Sequence, residues 1–195
     1  MHKMKRLILP VLMVITLAAC QKNKVNPGPS AVGKDTIPDG ASFKLQLATD
    51  STGSEYPSMD TMNVMVHFNH TYSVNYSFNN GEDGGDQNAI ENYTSWQFMA
   101  LSHDGGLLLL DGVPYKPGVQ IPLYIYSKAS TTHEQHFILH ALNLENIPDD
   151  IHIWCKDNEL KDSADLRKGP FRFYIHQLDT LSYGGNRFKI VVEPY

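Results

Sequence analysis

The chain has 195 residues, 19% of them charged and 42% hydrophobic, a balance that suits a globular protein with room for one good β domain or two small ones. Its 14 glycines and 11 prolines are too few for a collagen-like chain, and its charge is too sparse for a disordered polyelectrolyte. With 16 basic against 21 acidic residues and a net charge of −5, it lacks the basic surface that nucleic acid requires of a partner.

The chain opens with MHKMKRLILPVLMVITLAAC, where Lys3, Lys5 and Arg6 precede an apolar stretch from Leu7 to Leu17. Roughly eleven apolar residues are too few for a permanent membrane-spanning helix, so residues 1–19 read as a secretory signal peptide. The ending Leu17-Ala18-Ala19-Cys20 resembles the lipobox of bacterial lipoproteins. That resemblance implies cleavage before Cys20, lipidation of its thiol and new amino terminus by palmitate-type chains, and durable membrane attachment. Each buried methylene of such chains contributes ~0.8 kcal/mol. An ordinary secretory signal with a chance cysteine is the alternative. Cleavage removes three basic residues and leaves 13 against 21 acidic ones, a mature charge of about −8. Gln21 stands where an aspartate would favour the inner membrane of enteric bacteria, so an outer-membrane lipoprotein is expected. The acidic pair of many surface-exposed Bacteroidota lipoproteins is missing near Cys20, which leaves the periplasmic and surface faces both open. With Cys20 acylated, Cys155 stands alone and no intramolecular disulfide forms.

Residues 20–40 comprise the lipidated cysteine and a proline- and glycine-rich tether without apolar periodicity. From Ala41 the period becomes two. Phe43, Leu45 and Leu47 alternate with Lys44 and Gln46, and Val64, Val66 and Phe68 alternate with Met65 and His67. Tyr72, Tyr76 and Phe78 share one side of a segment over 71–78. The runs 96–101 and 107–110 are apolar almost throughout and suit strands covered on both faces. Ile121, Leu123 and Ile125 oppose Tyr124 and Tyr126, and alternation recurs over 136–141, 151–156, 171–176 and 187–193. Turn residues such as Asp111-Gly112 and Gly184-Gly185-Asn186 separate these runs, and 162–167 suits one helical turn. About nine short strands predict an all-β fold over residues 41–195, a two-sheet antiparallel β-sandwich with Greek-key or jelly-roll-like connections.

The ordered motifs Leu101-Ser102-His103-Asp104-Gly105, Ile121-Pro122-Leu123, Ile151-His152-Ile153-Trp154-Cys155-Lys156-Asp157, Asp165-Leu166-Arg167, Gly169-Pro170-Phe171-Arg172-Phe173 and Asn186-Arg187-Phe188 resemble a Bacteroidota β-sandwich domain found before type IX secretion sorting domains. The likeness runs over residues 60–193. It implies a sandwich without a known catalytic constellation, and the lipid on Cys20 is expected to replace the sorting domain. Pro122 predicts an edge strand or a bulge. Trp154 is expected between the sheets, and Asp165 with Arg167, or Asp157 with Arg187, as ion pairs.

Chemistry-bearing residues are fewer. His133-Glu134-Gln135-His136 is one residue short of a zincin motif and lies in a strand context, and His136 and His140 stand ~13 Å apart along one strand. Surface histidines account for them better than zinc. The loop 79–88 gathers Glu82, Asp83 and Asp86 among glycines and amides, the oxygen-rich chemistry that calcium favours, although a solvated loop explains it too. Tyr72, Tyr76, Tyr124 and Tyr126 are candidates for a sugar-stacking platform, against the simpler account that they pack under loops. Asp35-Thr36-Ile37, Asp60-Thr61-Met62, Asp162-Ser163-Ala164 and Asp179-Thr180-Leu181 resemble Bacteroidota O-glycosylation acceptors.

The expected function is therefore a non-catalytic, lipid-anchored envelope protein serving adhesion, envelope organisation or ligand capture. It requires no cofactor, and its expected partners are the membrane and a glycan or another envelope protein. Two alternatives stand beside it: a calcium-assisted carbohydrate-binding accessory protein of a glycan-uptake system, and a hydrolase built on a carboxylate pair.

Overall fold

Alternating apolar residues build two stacked sheets in the computed structural model, which describes residues 36–50, 61–72, 83–85, 97–103, 106–127, 134–176 and 178–195. The strands are β1 (Ala41–Thr49), β2 (Met62–Phe68), β3 (Gln97–His103), β4 (Gly106–Leu108), β5 (Leu110–Val113), β6 (Val119–Ser127), β7 (Gln135–Glu145), β8 (Ile151–Asp157), β9 (Asp162–Asp165), β10 (Phe171–Ile175) and β11 (Gly184–Pro194). One sheet has the order β10-β7-β1-β2-β5 and the other β4-β3-β6-β11-β8-β9. The pairings are antiparallel except for β2 with β5, which run parallel from Met65↔Leu110 to Phe68↔Val113. The predicted all-β sandwich is present, with eleven strands among the described residues where about nine were expected.

The core lies between the sheets. Phe43, Leu45, Val66, Phe68, Phe137 and Leu139 of the five-stranded sheet meet Leu123, Ile125, Ile153, Cys155, Phe188 and Ile190 of the six-stranded one, all buried. Each such side chain contributes about 1.5–3 kcal/mol on burial. Phe173 joins the two sheets, its ring centroid 5.6 Å from that of Phe137 and 4.6 Å from that of Phe188. The folded body reaches back into the expected tether, because Ile37 is buried with the core and the Gly40 N–H donates to Phe68 O at 2.8 Å.

The extra strands come from two places. The run 107–110 is not one strand: it breaks at Leu109, so that β4 pairs with β3 in one sheet and β5 with β2 in the other. Residues 162–167 do not form a helical turn. Asp162–Asp165 pairs as β9 with the free edge of β8, after a tight turn that ends on Lys161 at φ 56°. Asp157 fixes that turn by accepting the Glu159 and Leu160 N–H groups on Oδ1 at 2.9 and 3.1 Å. A β-bulge sits where Ser42↔Glu145 is followed by Lys44↔Leu142, and the extra residue is absorbed at Asn143, whose φ of 50° an asparagine tolerates well.

Two expectations are corrected. Pro122 lies on β6, an interior strand between β3 and β11. The ladder to β3 ends at Leu101↔Leu123, one residue short of the proline, and Pro122 itself stands opposite Lys189 of β11. Its missing donor thus falls where the β3 ladder has already ended. Trp154 does not fill the space between the sheets. It alternates with the buried Ile153 and Cys155, and so projects from the outer face, half-buried beside His152 with ring centroids 5.1 Å apart. Of the segment 71–78, residues from Ser73 onward lie outside the described residues, as does Trp96. Tyr72 sits in a turn, its N–H donating to Asn69 O at 3.1 Å.

Candidate functional site

A cleft of about 380 Å³ opens where β8 ends and β11 begins, lined by residues 158–159, 180–181 and 183–187. Two hydrogen-bonded turns shape it. On one side, Asn158 N–H donates to Arg187 O at 2.7 Å, and its side-chain amide donates to Asn186 O at 2.9 Å. On the other, Ser182 ties His176 to Asp179: its hydroxyl sits 2.7 Å from His176 O and 2.8 Å from Asp179 O, and it accepts the His176 N–H at 2.9 Å. The turn presents Leu181 to solvent at 72% exposure and turns Tyr183 into the wall.

Arg187 forms the base. The register slip between Gly184↔Ile125 and Phe188↔Leu123 breaks the alternation of β11, so Arg187 and Phe188 are both buried. The guanidinium donates from Nε to both Asp157 carboxylate oxygens, at 3.2 and 3.1 Å, and from Nη2 to Oδ2 at 2.8 Å. Its Nη1 donates to Tyr174 O at 2.7 Å and to Ser182 O. The cation also faces the Phe188 ring, with 4.5 Å from Cζ to the centroid. The expected Asp157–Arg187 pair is present, and both side chains are fully shielded from solvent. Glu159 Oε2 lies 3.1 Å from Nε, yet has no hydrogen-bond partner among the described residues, because that N–H is directed into Asp157.

Tyr183 connects the cleft to the outer face of the six-stranded sheet. Its ring meets Tyr126 edge-on with centroids 5.4 Å apart, and Tyr124 lies on the same strand face, with Gly185 close to its ring. Burial raises the Tyr124 phenol above its usual value, and the neighbouring Tyr126 and Tyr183 add to the effect. The phenol therefore stays protonated at neutral pH and remains a hydrogen-bond donor.

The sequence-based candidates separate. Tyr124 and Tyr126 come together, joined by Tyr183, which the sequence reading missed. Tyr72 lies in the turn after β2, and Tyr76 is outside the described residues. In the acidic loop, Asp83 Oδ1 accepts the Gly112 N–H at 3.0 Å and so ties the loop to β5, whereas Glu82 and Asp86 lie outside the described residues. Cys20 lies outside them too. Among the described residues no three His, Cys, Asp or Glu side chains converge as metal ligands. Cys155 is buried, and desolvation, with the Asp157 charge beside it, drives its thiol far above the usual range, away from thiolate chemistry.

Arg167 does not pair with Asp165 through its guanidinium, which reaches Pro148 O at 2.8 Å and Asp149 Oδ1 at 3.1 Å instead. Asp165 takes His152, with 2.7 Å from Nδ1 to Oδ2, and accepts the Arg167 backbone N–H at 3.2 Å. Burial alone would raise the Asp165 carboxyl; the hydrogen bonds from His152, Arg167 N–H and Lys168 outweigh it and hold the group below the ordinary carboxylate range. Among the described residues no helix is long and apolar enough to cross a membrane. No protein-family model matches the chain, and neither a curated protein nor a solved structure matches it significantly.

Proposed function

We propose that this chain is a lipid-anchored, non-catalytic protein of the cell envelope whose sandwich holds a saccharide-type ligand at the tyrosine-bearing outer face of its six-stranded sheet. The observation that carries this reading is the continuity of Tyr124, Tyr126 and Tyr183 with the cleft of Asn158, Glu159 and Asn186. Aromatic rings supply apolar surface for sugar C–H groups, and amides and a carboxylate beside them match hydroxyls. The anchor rests on Leu17-Ala18-Ala19-Cys20, and the tether that follows gives the domain reach from an outer-membrane surface.

A glycan array probed with the full-length lipidated chain tests the binding role. Binding to at least one glycan, lowered about tenfold by Tyr183→Ala or Tyr126→Ala, is the expected result. An array without signal, or a signal indifferent to both variants, overturns it. The anchor is tested separately: Cys20→Ala should move the protein from the membrane fraction to the soluble envelope fraction, and undiminished membrane retention refutes lipidation. A thermal shift measured with calcium and with chelator decides calcium assistance, since a calcium-bound loop 79–88 raises Tm and an unchanged Tm rules that assistance out.

A further inference from the structure

Resting on the binding role just proposed, we infer that the Asn158–Asn186 cleft selects a ligand carrying an organic ammonium group, with Glu159 as the counter-charge and Tyr183 as the aromatic wall. The charges that meet at its base do not cancel. Asp157 and Glu159 bring two carboxylates to one guanidinium, and Arg187 is the one cation among the described lining residues. That cation is already committed: Nε and Nη2 serve Asp157, and Nη1 serves two backbone carbonyls. It is fully shielded from solvent, so an anionic ligand finds no donor there.

Glu159 is different. Its side chain keeps 21% exposure; Oε2 itself is shielded from solvent 3.1 Å from Arg187 Nε, so a ligand meets the accessible remainder of the side chain. A half-buried carboxylate in excess of its cation attracts positive charge more strongly than the same group in bulk water. Tyr183 lines the same cleft, and aromatic rings attract ammonium groups through their quadrupole. A volume of about 380 Å³ accommodates a group of monosaccharide size. The acidic balance of the chain, 21 carboxylates to 16 basic residues, favours approach of a cation as well.

The test titrates the full-length chain by calorimetry with glucosamine, N-acetylglucosamine and tetramethylammonium. Glucosamine should bind about tenfold more tightly than its neutral N-acetyl counterpart, and Glu159→Gln should erase that preference while Tm stays near wild type. The Glu159 backbone N–H, not its carboxylate, takes part in the Asp157 turn, so the variant keeps the loop. Equal affinity for the two sugars, or a preference that survives in Glu159→Gln, overturns the inference but leaves saccharide binding standing. Tetramethylammonium binding that depends on Glu159, with no sugar bound, supports the ammonium site and defeats the saccharide reading. Absence of binding by all three probes overturns the inference.

Discussion

Arg187 and Asp157 face one another across adjacent strands with Nη2 2.8 Å from Oδ2 and neither side chain accessible to solvent. Arg187 also reaches Tyr174 O on β10, an edge strand of the opposite sheet, so a single guanidinium fastens the two sheets along one side. A buried pair of this kind is weak evidence of net stabilisation, because desolvation offsets much of the attraction, but breaking it by halves is costly.

Arg187→Met should therefore lower stability by about 3–5 kcal/mol, since it leaves the Asp157 charge buried without a partner. The double variant Arg187→Met with Asp157→Leu should lose less than the sum of the two singles. Urea denaturation of the four proteins gives the coupling energy, and strict additivity would show that the two groups act independently.

Asp165 makes stability depend on acid. Its carboxyl is held below the ordinary range in the fold, so it binds a proton more readily in the unfolded chain. Its contribution is present above the unfolded value of ~3.9 and is lost as pH falls through the lower folded value. Melting curves between about pH 6 and pH 2 should show Asp165→Asn less stable than wild type at the neutral end and a narrowing gap towards the acid end. A gap that stays constant with pH would place the acid sensitivity elsewhere.

Trp154→Ala should cost about 1 kcal/mol, because the ring is half-buried on an outer face. Phe188→Ala, which removes a ring buried between the sheets, should cost about 3–5 kcal/mol. Equal losses in thermal melts would contradict the orientation of β8.

Gln135 is 1% exposed, and among the described residues neither atom of its amide has a hydrogen-bond partner. Gln135→Met keeps the volume and removes the buried polar group, so it should stabilise the fold by about 1 kcal/mol. A lower Tm would show that the amide is engaged.

Period-two alternation made the strands legible, because each phase of Phe43, Leu45 and Leu47 or of Ile151, Ile153 and Cys155 declares an inward face. That phase already set Trp154 opposite Ile153; its size suggested a core position that the pleat denies it. The crossing at Leu109 was illegible, since four consecutive leucines carry no turn residue and suit either sheet. In the site, Tyr124 and Tyr126 stood out by spacing. Tyr183 and Glu159 did not, because turn residues have no period and acquire neighbours only when β8 and β11 pair. The Asp157–Arg187 pair was legible as complementary charge, but its burial follows from a register slip at Gly184 that composition does not announce.

β11 lies between β6 and β8, so residues 184–194 supply a middle plank of their sheet. A nascent polypeptide delivered N-terminus first has both flanking planks in hand while the slot between them is empty. Completion of that sheet must then wait for residues 184–194 to arrive, and until they do the facing edges of both neighbours stay unpaired.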